Sequence, residues 1–126
     1  MLGDSPVYPI LLSTDLARAR SFYHGKLGLE ILEEGPDGIV FRCGATKLVV
    51  TNSTSGTSDT QTQLRWEVDD LSAVLDELRT RGVTIEEYDL PGFKTEDGVK
   101  DMGFGWVAWI VDPDANVLAI SELKTP

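Results

Sequence analysis

The chain has 126 residues, which suits one domain and is too short for two conventional cores. Its 41% apolar and 25% charged residues are typical of a globular protein and exclude a disordered or fibrous chain. Eleven basic against twenty-one acidic residues give a net charge of -10, which disfavours nucleic acid and anionic membranes as partners and favours a cationic small molecule.

Two absences in the sequence predict the compartment. No apolar run approaches the roughly 18 residues of a membrane-spanning helix, and residues 1–6 lack the basic and apolar regions of a signal peptide. A single cysteine, Cys43, cannot form an internal disulfide. We therefore expect a cytoplasmic protein that is stabilised by packing and has no membrane partner.

The first half of the chain predicts a β-strand, a helix and three more β-strands. Residues 7–13 form an apolar run in which Pro9 restricts ladder pairing, so this strand is expected at an edge. Asp15 begins an amphipathic helix, and Gly28 ends it. Three short β-rich runs follow, separated by glycine-containing hairpin turns, at residues 29–34, 39–43 and 47–51.

The second half repeats this order after a polar connector, residues 52–61. Residues 63–68 alternate polar and apolar side chains, which indicates a half-buried strand. Asp70 begins a second amphipathic helix, and Gly82 ends it. Three further strands are predicted over residues 85–90, 105–111 and 117–123.

The two halves also match in spacing, which indicates an internal repeat. Asp15 and Asp70 are 55 residues apart, and Gly28 and Gly82 are 54 residues apart. The sequence therefore predicts a single α+β domain over residues 1–126, made of one βαβββ module at residues 1–55 and another at residues 60–126. One helix covers only one face of each four-stranded sheet, so two such sheets side by side can enclose a cavity.

Three segments resemble those of the vicinal oxygen chelate superfamily, which includes glyoxalases, bleomycin-resistance proteins and extradiol dioxygenases. They are STDLARARSFYHGKLGLEIL at residues 13–32, VDDLSAVLDELRTRGV at residues 68–83 and WIVDPDANVLAISE at residues 109–122. The resemblance implies a curved mixed sheet around a ligand cavity, and a homodimer. Ala115 stands where the family usually has glycine, and alanine costs about 1 kcal/mol there if the turn needs a left-handed residue.

The resemblance also implies where a divalent metal would be chelated. The four family positions correspond to Tyr8 and Val49 in the first half, and to Gln63 and Ala119 in the second. Val49 and Ala119 carry no donor atom, while a tyrosine hydroxyl and an amide are poor ligands. We therefore predict no metal and no cofactor at this site. The only histidine, His24, is expected to be solvated near the end of the first helix.

Strand alternation predicts which side chains line the cavity. Tyr8, Ile10 and Leu12 share one face of the first strand, and Gln63, Arg65 and Glu67 share one face of the strand that opens the second half. A mostly apolar wall with a few polar groups suits a small-molecule pocket, although the same strands could fill a core or pair with a second subunit. The predicted ligand-binding set is Tyr8, Ile10, Leu12, Val49, Gln63, Arg65, Glu67, Trp106 and Ala119.

Two tryptophans and one long loop are further candidates. Trp106 and Trp109 are three residues apart and point to opposite faces of one strand, so only one lines the cavity. Trp106 is favoured because it adjoins the glycine-containing residues 102–105. In the long loop at residues 90–103, Phe93 and Met102 have little reason to be exposed, which favours a flap over the cavity or a neighbouring subunit. The alternative is a mobile surface hairpin.

These features favour a metal-independent protein that sequesters an antibiotic-like small molecule. The alternative is a glyoxalase-type lyase, isomerase or dioxygenase that uses a displaced metal site or Tyr8 as a general acid. A third possibility is a subunit-interaction module. The chain has no nucleophile elbow, phosphate-binding glycine loop or Cys-His pattern, so no catalytic residue other than Tyr8 is predicted.

Overall fold

Each half of the sequence folds as one strand, one helix and further strands in a computed structural model that describes residues 1–57 and 60–124. Residues 1–57 and Pro113–Asn116 make up the first unit, and residues 60–112 and 117–124 make up the second. Each unit contains one four-stranded mixed sheet. The predicted α+β class with two βαβββ modules is therefore confirmed.

In the first unit, β1 is parallel to β4, and the sheet has the order β1-β4-β3-β2. The other neighbours are antiparallel and are joined by the predicted glycine-containing turns. Helix α1 is followed directly by a π-helical segment. The elements are β1 (Ile10–Ser13), α1 (Leu16–Arg20), the π-helical segment (Ser21–Lys26), β2 (Glu30–Gly35), β3 (Gly38–Cys43) and β4 (Thr46–Asn52).

Local signals explain where α1 begins and what it covers. The Asp15 carboxylate accepts a hydrogen bond from the backbone N–H of Arg18 at 3.1 Å, which satisfies a donor at the start of the helix. Gly28, at a φ of 75°, lets the chain leave the helical path. Tyr23 is fully buried, and its ring lies 5.6 Å from that of Phe41 on the sheet. The helix therefore covers one face of the sheet and leaves the other open.

The second unit has the sheet order β5-β10-β9-β8 and a separate two-stranded hairpin of β6 and β7. The Asp70 carboxylate caps α2 by accepting from the backbone N–H of Ala73 at 3.1 Å. Leu71, Leu75 and Leu78 are the buried residues of this helix. The elements are β5 (Thr62–Glu67), α2 (Leu71–Thr80), β6 (Asp89–Leu90), β7 (Phe93–Lys94), β8 (Lys100–Asp101), β9 (Gly105–Val111) and β10 (Val117–Leu123).

Two predicted strands are wrong or shortened. Residues 85–88 are irregular. The backbone N–H of Glu86 donates to the Trp109 carbonyl of β9 at 2.8 Å, but this single hydrogen bond is not continued into a β-ladder. The short strand β8 takes the fourth place in the sheet instead. In the first unit β1 begins at Ile10 rather than at residue 7, directly after Pro9, which has no N–H to donate. In the predicted connector at residues 52–61, Asn52 ends β4, and residues 58 and 59 lie outside the described residues.

The turn that joins β9 to β10 belongs to the first unit. The buried carboxylate of Asp114 accepts hydrogen bonds from the backbone N–H and the hydroxyl of Thr14, both at 3.1 Å, and from the Arg18 guanidinium at 2.7 Å. The Asn116 amide donates to the Leu12 carbonyl at 3.0 Å. Ala115 has a φ of 68°, so the left-handed position of this turn falls on alanine.

The described helices are all short. Over residues 1–57 and 60–124, none is long and apolar enough to cross a membrane.

Candidate ligand-binding site

The face of the second sheet away from α2 brings several predicted residues together, of which Ala119 is buried and Arg65 and Glu67 are about half exposed. The strand register aligns Arg65 of β5 with Ala119 of β10, and Ala119 with Trp109 of β9. In the next row, Glu67 aligns with Ser121. Because aligned residues on neighbouring strands project to the same side, these side chains share one face. We call it the Arg65 face.

A charged pair lies at the β5 side of the Arg65 face. The Arg65 guanidinium is 3.4 Å from a carboxylate oxygen of Glu67, and both side chains are about half exposed. The guanidinium carbon of Arg65 is also 4.9 Å from the ring centroid of Phe104. A stacked guanidinium beside a carboxylate can orient a polar ligand by direct hydrogen bonds. Gln63 also lies on β5, two residues before Arg65.

Three aromatic rings cluster on the β9 side of the same face. The ring centroids of Tyr88 and Phe93 lie 5.7 Å and 5.4 Å from that of Trp109. The Trp109 indole N–H donates to the Thr62 hydroxyl at 3.1 Å. Burial raises the pKa of Tyr88, and the nearby Glu86 carboxylate raises it further, so the phenol stays protonated at neutral pH. The cluster therefore offers a neutral aromatic surface.

The hairpin of β6 and β7 carries part of this cluster. Phe93 begins β7 and packs against Tyr88 and Trp109. The Lys100 ammonium lies 5.1 Å from the Phe93 ring centroid. Met102, which we expected to be covered together with Phe93 as part of a flap, is 41% exposed. Only the Phe93 half of the predicted loop therefore packs against the sheet of the second unit.

The structure places the two tryptophans on opposite faces of β9. Trp106 aligns with Glu122 of β10, whose carboxylate accepts a hydrogen bond from the backbone N–H of Leu71 in α2 at 2.9 Å. Trp106 therefore lies on the α2 side of the sheet, and Trp109 lies on the Arg65 face. Trp106 therefore does not share a face with Arg65 and Ala119, and its role as a ligand contact stays a prediction. The parity argument itself, which placed the two rings on opposite faces, holds.

In the first unit, the other predicted residues lie on the open face of the first sheet. Ile10 of β1 is 60% exposed and aligns with Val49 of β4, and Leu12 is partly exposed two residues further on. The intervening Leu11 is buried toward α1. Tyr8 lies before β1, and the Lys47 ammonium is 5.7 Å from its ring centroid. These four residues form a mainly apolar surface.

The sequence itself decides the family. It matches the model of the Glyoxalase/Bleomycin resistance protein/Dioxygenase superfamily over residues 7–120. The chain belongs to this superfamily. No curated protein sequence matches it significantly.

Several solved structures share the fold of this chain at low sequence identity. An antibiotic-binding protein, TnmS3, from a Streptomyces species is 23% identical, with a TM-score of 0.74 over 95% of this chain and 97% of that one. A bleomycin-binding protein in complex with bleomycin is 20% identical, with a TM-score of 0.73 over 95% and 99%. A lactoylglutathione lyase from Agrobacterium tumefaciens is 20% identical, with a TM-score of 0.63 over 94% and 92%.

The side chains at the superfamily's chelating positions do not fit a divalent metal. Val49 is aliphatic, and Ala119 is 2% exposed and packed against Trp109. Neither offers an electron pair, so only a phenol and an amide remain of the four positions. Residues 1–57 and 60–124 also hold no group of three or more His, Cys, Asp or Glu side chains placed to bind a metal ion. His24 contacts the Leu29 carbonyl through Nδ1 at 2.8 Å.

Sequence reasoning missed three side chains that meet the predicted ones, and it weighed a fourth, Trp109, without choosing it. Tyr88 and Trp109 form the aromatic cluster, while Phe104 and Lys100 are brought in by a turn and by a two-residue strand. The face on which Trp109 lies could have been predicted from the sequence. If β9 pairs with β10 across the turn at residues 112–116, Trp109 aligns with Ala119 and shares its face. The other three lie in segments with no periodic pattern, so the sequence carried no signal for them.

Proposed function

We propose that this protein is a metal-independent small-molecule-binding protein and that its ligand contacts the Arg65 face. The observation that carries the proposal is the environment of Ala119. Its methyl group lies between a guanidinium at Arg65 and an indole at Trp109. Where the superfamily resemblance implies a chelating carboxylate, this chain therefore has a buried methyl group, with a half-exposed guanidinium on one side and a buried indole on the other. Such a mixture suits non-covalent binding.

The known structures support this class of function. The Streptomyces protein is described as antibiotic-binding, and a second neighbour was solved with bleomycin bound. Both share the fold of this chain. We propose by analogy that this chain sequesters an antibiotic-like molecule in the cytoplasm.

The chemistry of the Arg65 face suggests how a ligand would be held. The partly buried Tyr88 and Phe93 rings, which pack on the buried Trp109 ring, can contact a flat or apolar part of the ligand, which contributes through area removed from water. Glu67 can bind a cationic group, and Arg65 can bind a carboxylate or phosphate. The net charge of -10 favours approach of the cationic ligand. Tyr8, Ile10, Leu12, Val49 and Gln63 remain predicted ligand contacts.

The test is a calorimetric titration with bleomycin, followed by other antibiotics, using Arg65→Ala and Glu67→Ala. Each substitution at a direct ligand contact should change the binding free energy by about 1.5 to 3 kcal/mol. Loss in Glu67→Ala alone indicates a cationic ligand group, and loss in Arg65→Ala alone indicates an anionic one. Equal loss indicates that the ion pair shapes the surface.

The chain offers a matched control for this experiment. Arg81 and Glu77 form an ion pair at 2.8 Å on α2, with exposures similar to those of Arg65 and Glu67. Arg81→Ala and Glu77→Ala should leave binding unchanged. If the Arg65 and Glu67 variants bind like the parent, or if the control variants lose equally, the ligand does not contact the Arg65 face.

A further inference from the structure

A separate cavity lies on the opposite side of the second sheet, between α2 and the end of β9. Its volume is about 590 Å³, which lies in the range of small-molecule sites in proteins. Leu71 and Leu75 of α2 form its apolar base, and Trp106 of β9 and Val99 form a wall. All of its lining belongs to the second unit. We call it the α2 cavity.

The polar lining of the α2 cavity is mostly acidic. It is lined by three acidic residues, Asp76, Asp97 and Glu122, and by one cation, Arg79, and the Glu122 carboxylate also accepts the backbone N–H of Leu71 at 2.9 Å. The Arg79 guanidinium is already engaged, because it donates to the Asp97 carbonyl at 3.0 Å and lies 3.8 Å from a carboxylate oxygen of Asp76. Three carboxylates against one occupied guanidinium leave an excess of negative charge around the cavity.

The aromatic wall of the α2 cavity already holds an ammonium group of its own chain. The Lys124 ammonium lies 5.5 Å from the Trp106 ring centroid and pairs with the Asp101 carboxylate at 2.8 Å. An indole face combined with a carboxylate is an arrangement that recognises ammonium ions. Trp106 is 36% exposed, so part of the ring remains accessible to a ligand.

We propose that the α2 cavity binds a small organic ammonium ion with an apolar arm. The ammonium group would lie toward the carboxylates of Asp76, Asp97 and Glu122, and the apolar arm would lie against Trp106 and Val99. This site is on the other side of the sheet from the Arg65 face and does not depend on the function proposed above. It also gives Trp106 a binding role that differs from the one the sequence suggested.

The proposal is tested by NMR titration of the full-length protein labelled with nitrogen-15. The probes are phenethylamine, 2-phenylethanol and phenylacetate, which share an aromatic arm and differ in charge. The Trp106 indole N–H signal, assigned from its absence in Trp106→Phe, should shift saturably with phenethylamine. Phenethylamine should bind about fivefold more tightly than the neutral alcohol, and phenylacetate should bind most weakly. Equal affinities for the three probes would overturn the proposal.

Variants separate the α2 cavity from the Arg65 face. Asp76→Asn combined with Asp97→Asn removes two charges, and asparagine tolerates the φ of 51° at position 97. Phenethylamine should bind this variant about fivefold more weakly, while Glu34→Gln, which removes an exposed carboxylate of the first unit, should leave its binding like that of the parent. Unchanged affinity in the double variant, or a shift of the Trp109 indole in place of Trp106, would contradict the assignment. Either result leaves the test of the Arg65 face unaffected.

Discussion

Ala115 holds a backbone conformation that alanine disfavours, with a φ of 68° in the turn between β9 and β10. Glycine has no Cβ and adopts this region freely, so Ala115→Gly should raise the free energy of unfolding by about 1 kcal/mol. Urea unfolding followed by circular dichroism measures it. Gly82 is the matched control, because it has a φ of 83° and open space around its missing Cβ. Gly82→Ala should lower stability by a similar amount, and a less stable Ala115→Gly protein would refute the argument.

Asp114 is the buried charge of the same turn, and it makes stability depend on pH. Burial raises the pKa of Asp114, but hydrogen bonds from Ser13, Thr14 and Arg18 outweigh it and hold the pKa below the ordinary 3.8. Because the folded state has the lower pKa, the ionised carboxylate stabilises the fold above pH 3.8. That contribution is lost as the pH falls through the depressed value.

Asp114→Asn should therefore lower the free energy of unfolding at pH 7 by about 1 to 2 kcal/mol, a range reduced because Arg18 is half exposed. The gap between variant and parent should shrink when urea unfolding is repeated below pH 3.8. Glu34→Gln, which removes an exposed partner of Arg20, should change stability by less than about 0.5 kcal/mol. A gap that stays constant at all pH values would show that the charge of Asp114 is not responsible.

At the scale of elements, the hairpin of β6 and β7 is held to the second sheet by aromatic contacts. Phe93 touches both Tyr88 and Trp109, and the backbone N–H of Thr95 donates to the Tyr88 carbonyl at 2.9 Å. Phe93→Ala should destabilise the protein by about 2 kcal/mol and speed hydrogen exchange at Thr95. Phe104→Ala removes a half-exposed ring and should leave that exchange unchanged. Equal protection of Thr95 in both variants would contradict this account of the hairpin.

The sequence predicted elements well where a pattern repeated. Asp15 and Asp70 cap the two helices as their positions indicated, because each side chain reaches a backbone N–H three residues on. Prediction failed at residues 85–88, the part of a β-rich run that was taken for a strand and is irregular in the structure. A strand exists only if a neighbour completes its ladder, and β8 occupies that place in the sheet. Such competition between segments is not visible in local composition.

The candidate site was predicted in part for the same reason. Alternation along β5 placed Arg65 and Glu67 on one face, and the register confirms that Arg65 shares this face with Ala119. Trp106 was favoured for its nearness to a glycine-containing segment, but the register aligns it with Glu122 and places it on the opposite face from Ala119. The contacts of Phe104 and Lys100 depend on irregular loop geometry, which leaves no repeating polar and apolar pattern in the sequence.

At the scale of the whole molecule, the open face of the first sheet predicts assembly. Ile10 is 60% exposed and Leu12 is 39% exposed, although both are apolar strand residues. We expect a homodimer whose interface covers Ile10 and Leu12. Ile10→Lys should then weaken the association of the two subunits. Light scattering at micromolar concentration measures the mass, and Leu2→Lys near the N-terminus is the control. A monomeric parent protein would reject the prediction.

The central claim is that the Arg65 face binds a small molecule without a metal. The most direct test is an NMR titration of nitrogen-15-labelled protein with bleomycin after dialysis against a chelator, following the Trp109 indole N–H. We expect a saturable shift of that signal in the absence of metal, with the same dissociation constant after a divalent ion is added back. A Trp109 signal that does not move, or that moves only when the metal is restored, would contradict the claim.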